Sequence, residues 1–156
     1  MSGLVSFRTT LFAFSICALF LTAPLFSQSG TTNKNLSNHL VGAWKLVSLE
    51  KPSANGAVHP VDCDGLFVFS NDGKASVQVM YRNSQAGNDY AQGGYEASYG
   101  SYEIDDGHTF TFHIDGALVR TLLGKDLKRA YEISGNRLIV RSTNPNEKWR
   151  VVWERY

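Results

Sequence analysis

The stretch LVGAWKLVSLE, residues 40–50, decides the fold. From Gly42 the residues alternate as a strand does, with Trp44, Leu46 and Ser48 on one face and Lys45 among those on the other. A glycine two residues before a large indole suits the closed end of a barrel. There the backbone must pass closely, and one bulky ring must keep water out of the core. Gly42 and Trp44 are therefore expected to form a barrel floor.

Period two continues along the chain. GLFVFS (65–70) and KASVQVMYR (74–82) flank Asp72-Gly73, a hairpin signal because such turns need a positive φ that glycine adopts cheaply. YEASYGSYEI (95–104) and HTFTFHI (108–114) are joined by DDG. LKRAYEI (127–133) and RLIVRS (137–142) are joined by SGN, and KWRVVWERY (148–156) closes the chain. PSANGAVHPVDCD (52–64) and NSQAGNDYAQGG (83–94) read as loops from their Gly, Pro and Asn content, the second long and mobile. DGALVRTLLGKD (115–126) is irregular, with room for another short strand. NKNLSNHLV (33–41) is the one helical candidate, a short turn before the first strand. Eight or nine antiparallel strands in meander order predict an all-β, up-and-down antiparallel barrel, wide enough at about eight strands for one small ligand.

These blocks carry a resemblance. LVGAWKLVSLE, FSNDGKASVQVM, YEASYGSYEI, FHIDGAL, KRAYEISGNRLIV and VVWERY, in this order, resemble the lipocalin-like domain family, whose Gly-x-Trp signature is shared with the wider lipocalins. The resemblance implies a calycin-type barrel and an exported bacterial member. It implies no single activity, because fold does not fix function. In FHIDGAL the resemblance leads one to expect two adjacent histidines, and Phe112 stands in place of the first.

The N-terminus reads as a targeting segment. Arg8 precedes the apolar run LFAFSICALFLTAPLFS (11–27), and polar SQSGTTNKN follows. A short basic region, an apolar core and small residues afterwards predict a signal peptide over residues 1–27. Residues 28–38 would be a flexible linker and 39–156 the barrel domain. Pro24, and the lack of a basic cluster after the apolar run, argue against a retained membrane anchor. Secretion or a periplasmic location follows. The formal net charge of +1, with no Lys/Arg cluster, argues against nucleic acid as a partner. Cys63 is the only cysteine after the apolar run, so no internal disulfide is expected there.

Candidate chemistry centres on Arg129. Leu127, Arg129, Tyr131 and Ile133 share an apolar face that should point inward. A buried guanidinium must find partners. Two readings stand. Arg129 and Tyr131 clamp an anionic ligand head, as the similar Arg-x-Tyr arrangement of fatty-acid-binding proteins suggests, or Arg129 lies over Trp44 and latches the floor. His113 shares a face with Thr109 and Thr111, and periodicity leaves open whether that face looks into the barrel. Gln78, Tyr99 and Trp153 are further candidate ligand contacts in an aromatic-rich lining. No catalytic residue, metal site or cofactor is assigned. DCDG (62–65) lacks the remaining ligands of a calcium loop. The expected function is binding of a small hydrophobic ligand with an anionic head. The alternatives are an isomerase or cyclase with His113 or a tyrosine as proton carrier, and a filled barrel with a structural role.

Overall fold

The computed structural model describes residues 39–156 except Ala54 and Ala86. The expected signal segment 1–27, the linker 28–38 and residues 33–38 of the helical candidate lie outside the described residues; of that candidate, His39 and Leu40 are helical.

Nine strands follow: β1 Gly42–Pro52, β2 Val58–Val61, β3 Cys63–Phe69, β4 Lys74–Tyr81, β5 Tyr95–Ile104, β6 Thr109–Ala117, β7 Asp126–Ser134, β8 Arg137–Ser142 and β9 Arg150–Arg155. All pairings are antiparallel, and β3 to β9 pair in sequence order. β1 pairs with β3 through Gly42–Lys45, with β2 through Leu49–Pro52, and with β9 along its other edge. β2 and β3 thus act as one interrupted strand, and the β1–β9 pairing closes an eight-position barrel, as the sequence predicted. β2 falls inside a segment expected to be loop. Residues 115–126 hold the end of β6 and a 3-10 turn at Arg120–Leu122, with no added strand.

Alternation sends one face of each strand into the core. Phe67 and Phe69 of β3, Phe110 and Phe112 of β6, Leu138 and Val140 of β8 and Trp153 of β9 are all buried. The floor is closed by the residues around Trp44. Leu40 and Trp44 are wholly inaccessible, and Trp44 Nε1 donates to the Leu40 carbonyl at 2.7 Å. The floor latch is Arg155, not Arg129. The Arg155 guanidinium lies 4.2 Å from the Trp44 ring centroid and donates to the Val41 and His39 carbonyls.

β1 departs from strict alternation. Its register with β9 shifts between Leu46 and Ser48. Such a bulge reverses the facing of the residues beyond it. Trp44 and Leu46 point inward before it, and Leu49 and Lys51 reach the interior after it.

Candidate functional site

Above the floor the barrel keeps a cavity of about 80 Å³. One water needs roughly 10–15 Å³, so there is space for several waters or a small organic group. The deep walls are apolar: Leu46, Phe67, Val77, Phe112, Val140 and Val151. Charge gathers at the other end, where the strand ends Lys51, Glu96 and Arg129 meet the segment between β4 and β5.

Arg129 takes its place from the predicted inward face of β7 and is 9% exposed. Its guanidinium stands 5.2 Å from the Tyr90 ring centroid and 5.0 Å from that of Trp149, and Nη1 donates to the Lys128 carbonyl at 3.2 Å. The Tyr90 hydroxyl also interacts with the guanidinium, so two aromatic faces, one carbonyl and one phenol surround its five donors. No ion pair joins Arg129, Lys51 or Glu96 to another described residue.

Lys51 Nζ donates to the Tyr81 hydroxyl at 3.3 Å and lies 5.1 Å from that ring's centroid. Burial lowers its pKa, partly offset by the Glu96 carboxyl. Burial pushes the Glu96 carboxyl up to about 7, against the opposing pull of Lys51 and Arg129. The mouth therefore carries two basic groups and one carboxyl that titrates near neutrality.

The segment 83–94, expected to be mobile, brings Tyr90 over this end. Tyr90 stacks edge-on against Trp149, and its hydroxyl donates to Glu147 at 2.5 Å. Ala91 is buried, and Tyr90 and Ala91 N–H groups are held by the Asn88 side chain. Burial raises the Tyr90 hydroxyl to about 12.

Of the six residues expected to touch a ligand, Arg129 and Trp153 line the cavity. Tyr131 is buried toward the floor, where its ring packs near Phe110 and its hydroxyl reaches the Asp106 carbonyl at 3.5 Å. It does not reach the cavity, so the Arg129–Tyr131 pairing is not formed. Gln78, Tyr99 and His113 lie on the outer face. Gln78 accepts from the Tyr95 hydroxyl, and His113 Nδ1 lies 2.6 Å from Asp126 Oδ1. Tyr99 is 60% exposed and covers Gly116, where a Cβ would fall 2.3 Å from its ring. Lys51, Tyr81, Tyr90, Glu96 and Ser98 are cavity residues that the sequence reading missed. Among the described residues no group of His, Cys, Asp and Glu could hold a metal ion.

The sequence model described as a lipocalin-like domain matches residues 41–156. No curated protein matches the chain. A solved structure of an uncharacterised protein from Bacteroides eggerthii is similar, with 16% identity, a TM-score of 0.47, and coverage of 75% of this chain and 99% of that one.

Proposed function

Since the chain belongs to the lipocalin-like domain family, we propose that it binds a small, mostly apolar molecule inside the barrel and holds an anionic head at Arg129. One observation carries this reading: a buried guanidinium at the edge of an apolar cavity, facing two aromatic rings, one carbonyl and the Tyr90 hydroxyl, with no carboxylate ion-paired to it among the described residues. A ligand carboxylate would meet it in the paired geometry that guanidinium favours. Lys51 adds a second positive group at the same end. The test is displacement of a fluorescent fatty acid. Arg129→Gln should stay folded and bind it at least about tenfold more weakly, the loss of one charge-assisted contact. Unchanged affinity in a folded variant would sink the clamp.

A second reading, an enzyme that isomerises or cyclises its ligand, is favoured by Glu96. This carboxyl lines the cavity and titrates near pH 7, where a proton carrier works best, whereas His113 lies outside. The two readings separate on a molecule that co-purifies with the protein: a carrier returns it unchanged, and an enzyme converts it or its precursor.

The protein is further proposed to be exported to the periplasm or medium, on the pattern of residues 1–27. Expression of the full chain in a bacterial host, with cell fractionation and intact-mass measurement, should give a mature form starting within a few residues of Ser27. Retention of the uncut chain in the cytoplasm would refute export.

A further inference from the structure

Of the described lysines, Lys45, Lys74, Lys125, Lys128 and Lys148 are exposed, and only Lys51 is drawn inward. The β1 bulge puts it on the inner face, where it lines the cavity mouth. Its neighbours locate the amine. Nζ donates to the Tyr81 hydroxyl at 3.3 Å and lies 5.1 Å from that ring's centroid, and Tyr81 is itself a cavity residue on the inward face of β4. Lys51 is half-buried rather than sealed, so its side chain keeps surface that a ligand can touch.

An ammonium group has three protons to donate and a full charge to neutralise. Here it has one long hydrogen bond and no ion pair among the described residues. Glu96 faces it from β5 and Cys63 from β3, and Arg129 of β7 acts on Glu96 from the same cavity. His59, its cross-strand partner on β2, is exposed. Burial favours the neutral Lys51 amine more than the Glu96 charge opposes it. Burial also keeps a proton on Glu96 up to about pH 7 and raises the Cys63 thiol, so that it stays protonated. A desolvated amine, a carboxyl that still holds its proton and an apolar space beside both are what condensation with a carbonyl needs.

We propose that Lys51 is a covalent site for a small apolar aldehyde or ketone, which it takes as an imine with Glu96 as the proton donor. The Nζ lone pair attacks the carbonyl carbon, the C=O π pair moves to oxygen, and one amine proton passes to that oxygen, giving a carbinolamine. Glu96 then protonates the hydroxyl. The C–O bond breaks with loss of water, and the nitrogen lone pair closes the C=N bond. The product is an iminium facing a Glu96 carboxylate, and the apolar walls slow the return of water. The site needs a cavity that admits the ligand, so it rests on the binding reading above, though not on the part given there to Arg129.

The experiment incubates the protein with octanal and cyanoborohydride at pH 7, where exposed lysines are almost wholly protonated. Peptide mass mapping then locates each octyl group and separates lysines from the N-terminal amine. Lys51 should be labelled at least about tenfold faster than any other lysine, and saturating fluorescent fatty acid should suppress that labelling. Lys51→Met should lose the fast adduct and keep the slow background. Glu96→Gln should slow labelling of Lys51 at least about tenfold. An unchanged rate in Glu96→Gln overturns its part as proton donor. Labelling of Lys51 that persists under saturating fatty acid puts the reaction outside the cavity and overturns the site. Octanal that displaces the fatty acid, yet labels Lys51 no faster than the exposed lysines, overturns the imine and leaves the binding reading intact. Failure of both octanal and the fatty acid to bind overturns both.

Discussion

Gly42 has a φ of +137°, and a Cβ built there would stand 2.5 Å from Arg155 Nη1. Two penalties therefore meet in Gly42→Ala: a backbone conformation that side chains avoid, and displacement of the guanidinium from the Trp44 ring. The substitution should cost about 2–3 kcal/mol in a denaturant titration. Arg155→Ala should cost about 2 kcal/mol by losing the ring contact and two carbonyl acceptors. An Arg155→Ala protein as stable as the wild type would remove the latch. The sequence made the need for a latch readable, since a buried indole at a barrel end wants a lid. It could not name the arginine, because Arg129 and Arg155 both lie on inward faces near opposite ends of the barrel, and only the register of β9 against β1 tells the ends apart. Glu96 makes a pH prediction. Its carboxyl is raised from the ordinary 4.5 to about 7 by burial, with Lys51 and Arg129 pulling the other way. Between those values the folded state holds a proton that the unfolded chain releases. Stability from this group is thus full below about 4.5, falls as pH rises through 7, and then levels, a loss on the order of 3 kcal/mol. Glu96→Gln should flatten that slope and be more stable than the wild type at pH 8. An unaltered slope in unfolding titrations from pH 5 to 8 would show that Glu96 does not titrate in this range.

At the scale of elements, the cavity's charge depends on one irregularity and one covering segment. The β1 bulge between Leu46 and Ser48 is what admits Lys51. Strict alternation from Trp44 places Lys51 outside, and nothing in the residue types marks where an extra residue enters a strand. β5 misled for a different reason. Its odd face, Tyr95, Ala97 and Tyr99, looks more apolar than Glu96 and Ser98, yet the odd face is outside, where Tyr99 covers the missing side chain of Gly116. β7 was readable because Leu127, Tyr131 and Ile133 agree around Arg129. The segment 83–94 looked mobile because it is rich in Gly and polar residues, but Tyr90 and Ala91 pack it against the barrel. Tyr90→Ala removes one of the two rings on Arg129 and the hydrogen bond to Glu147. Ligand exchange through the uncovered mouth should then speed up about tenfold or more, with stability lowered by about 1–2 kcal/mol. Stopped-flow release of the fluorescent fatty acid measures this. An unchanged off-rate would show that the segment does not gate the mouth.

At the scale of the whole molecule, one strand turns a sheet into a barrel. Without β9 the order β2-β1-β3 to β8 is an open sheet, and β1 and β8 become edges with unpaired backbone groups. β9 also brings Val151 and Trp153 to the core, its neighbour Trp149 to Arg129, and Arg155 to the floor. Closure was legible in the sequence because Trp149, Val151 and Trp153 alternate at the end of the chain as Trp44 and Leu46 do at the start of the domain. What occupies the enclosed space was not legible, since that depends on how rings from opposite walls meet. Removing residues 150–156 takes away two ladders and several core side chains at once. The loss exceeds the roughly 5–15 kcal/mol that holds a typical domain together, so the remaining chain should have no native state. Circular dichroism should find no cooperative thermal transition, and hydrophobic dye binding should rise. A truncated chain that still melts cooperatively would mean that the open sheet is stable by itself and that β9 contributes the cavity and the floor latch without being needed to fold the rest.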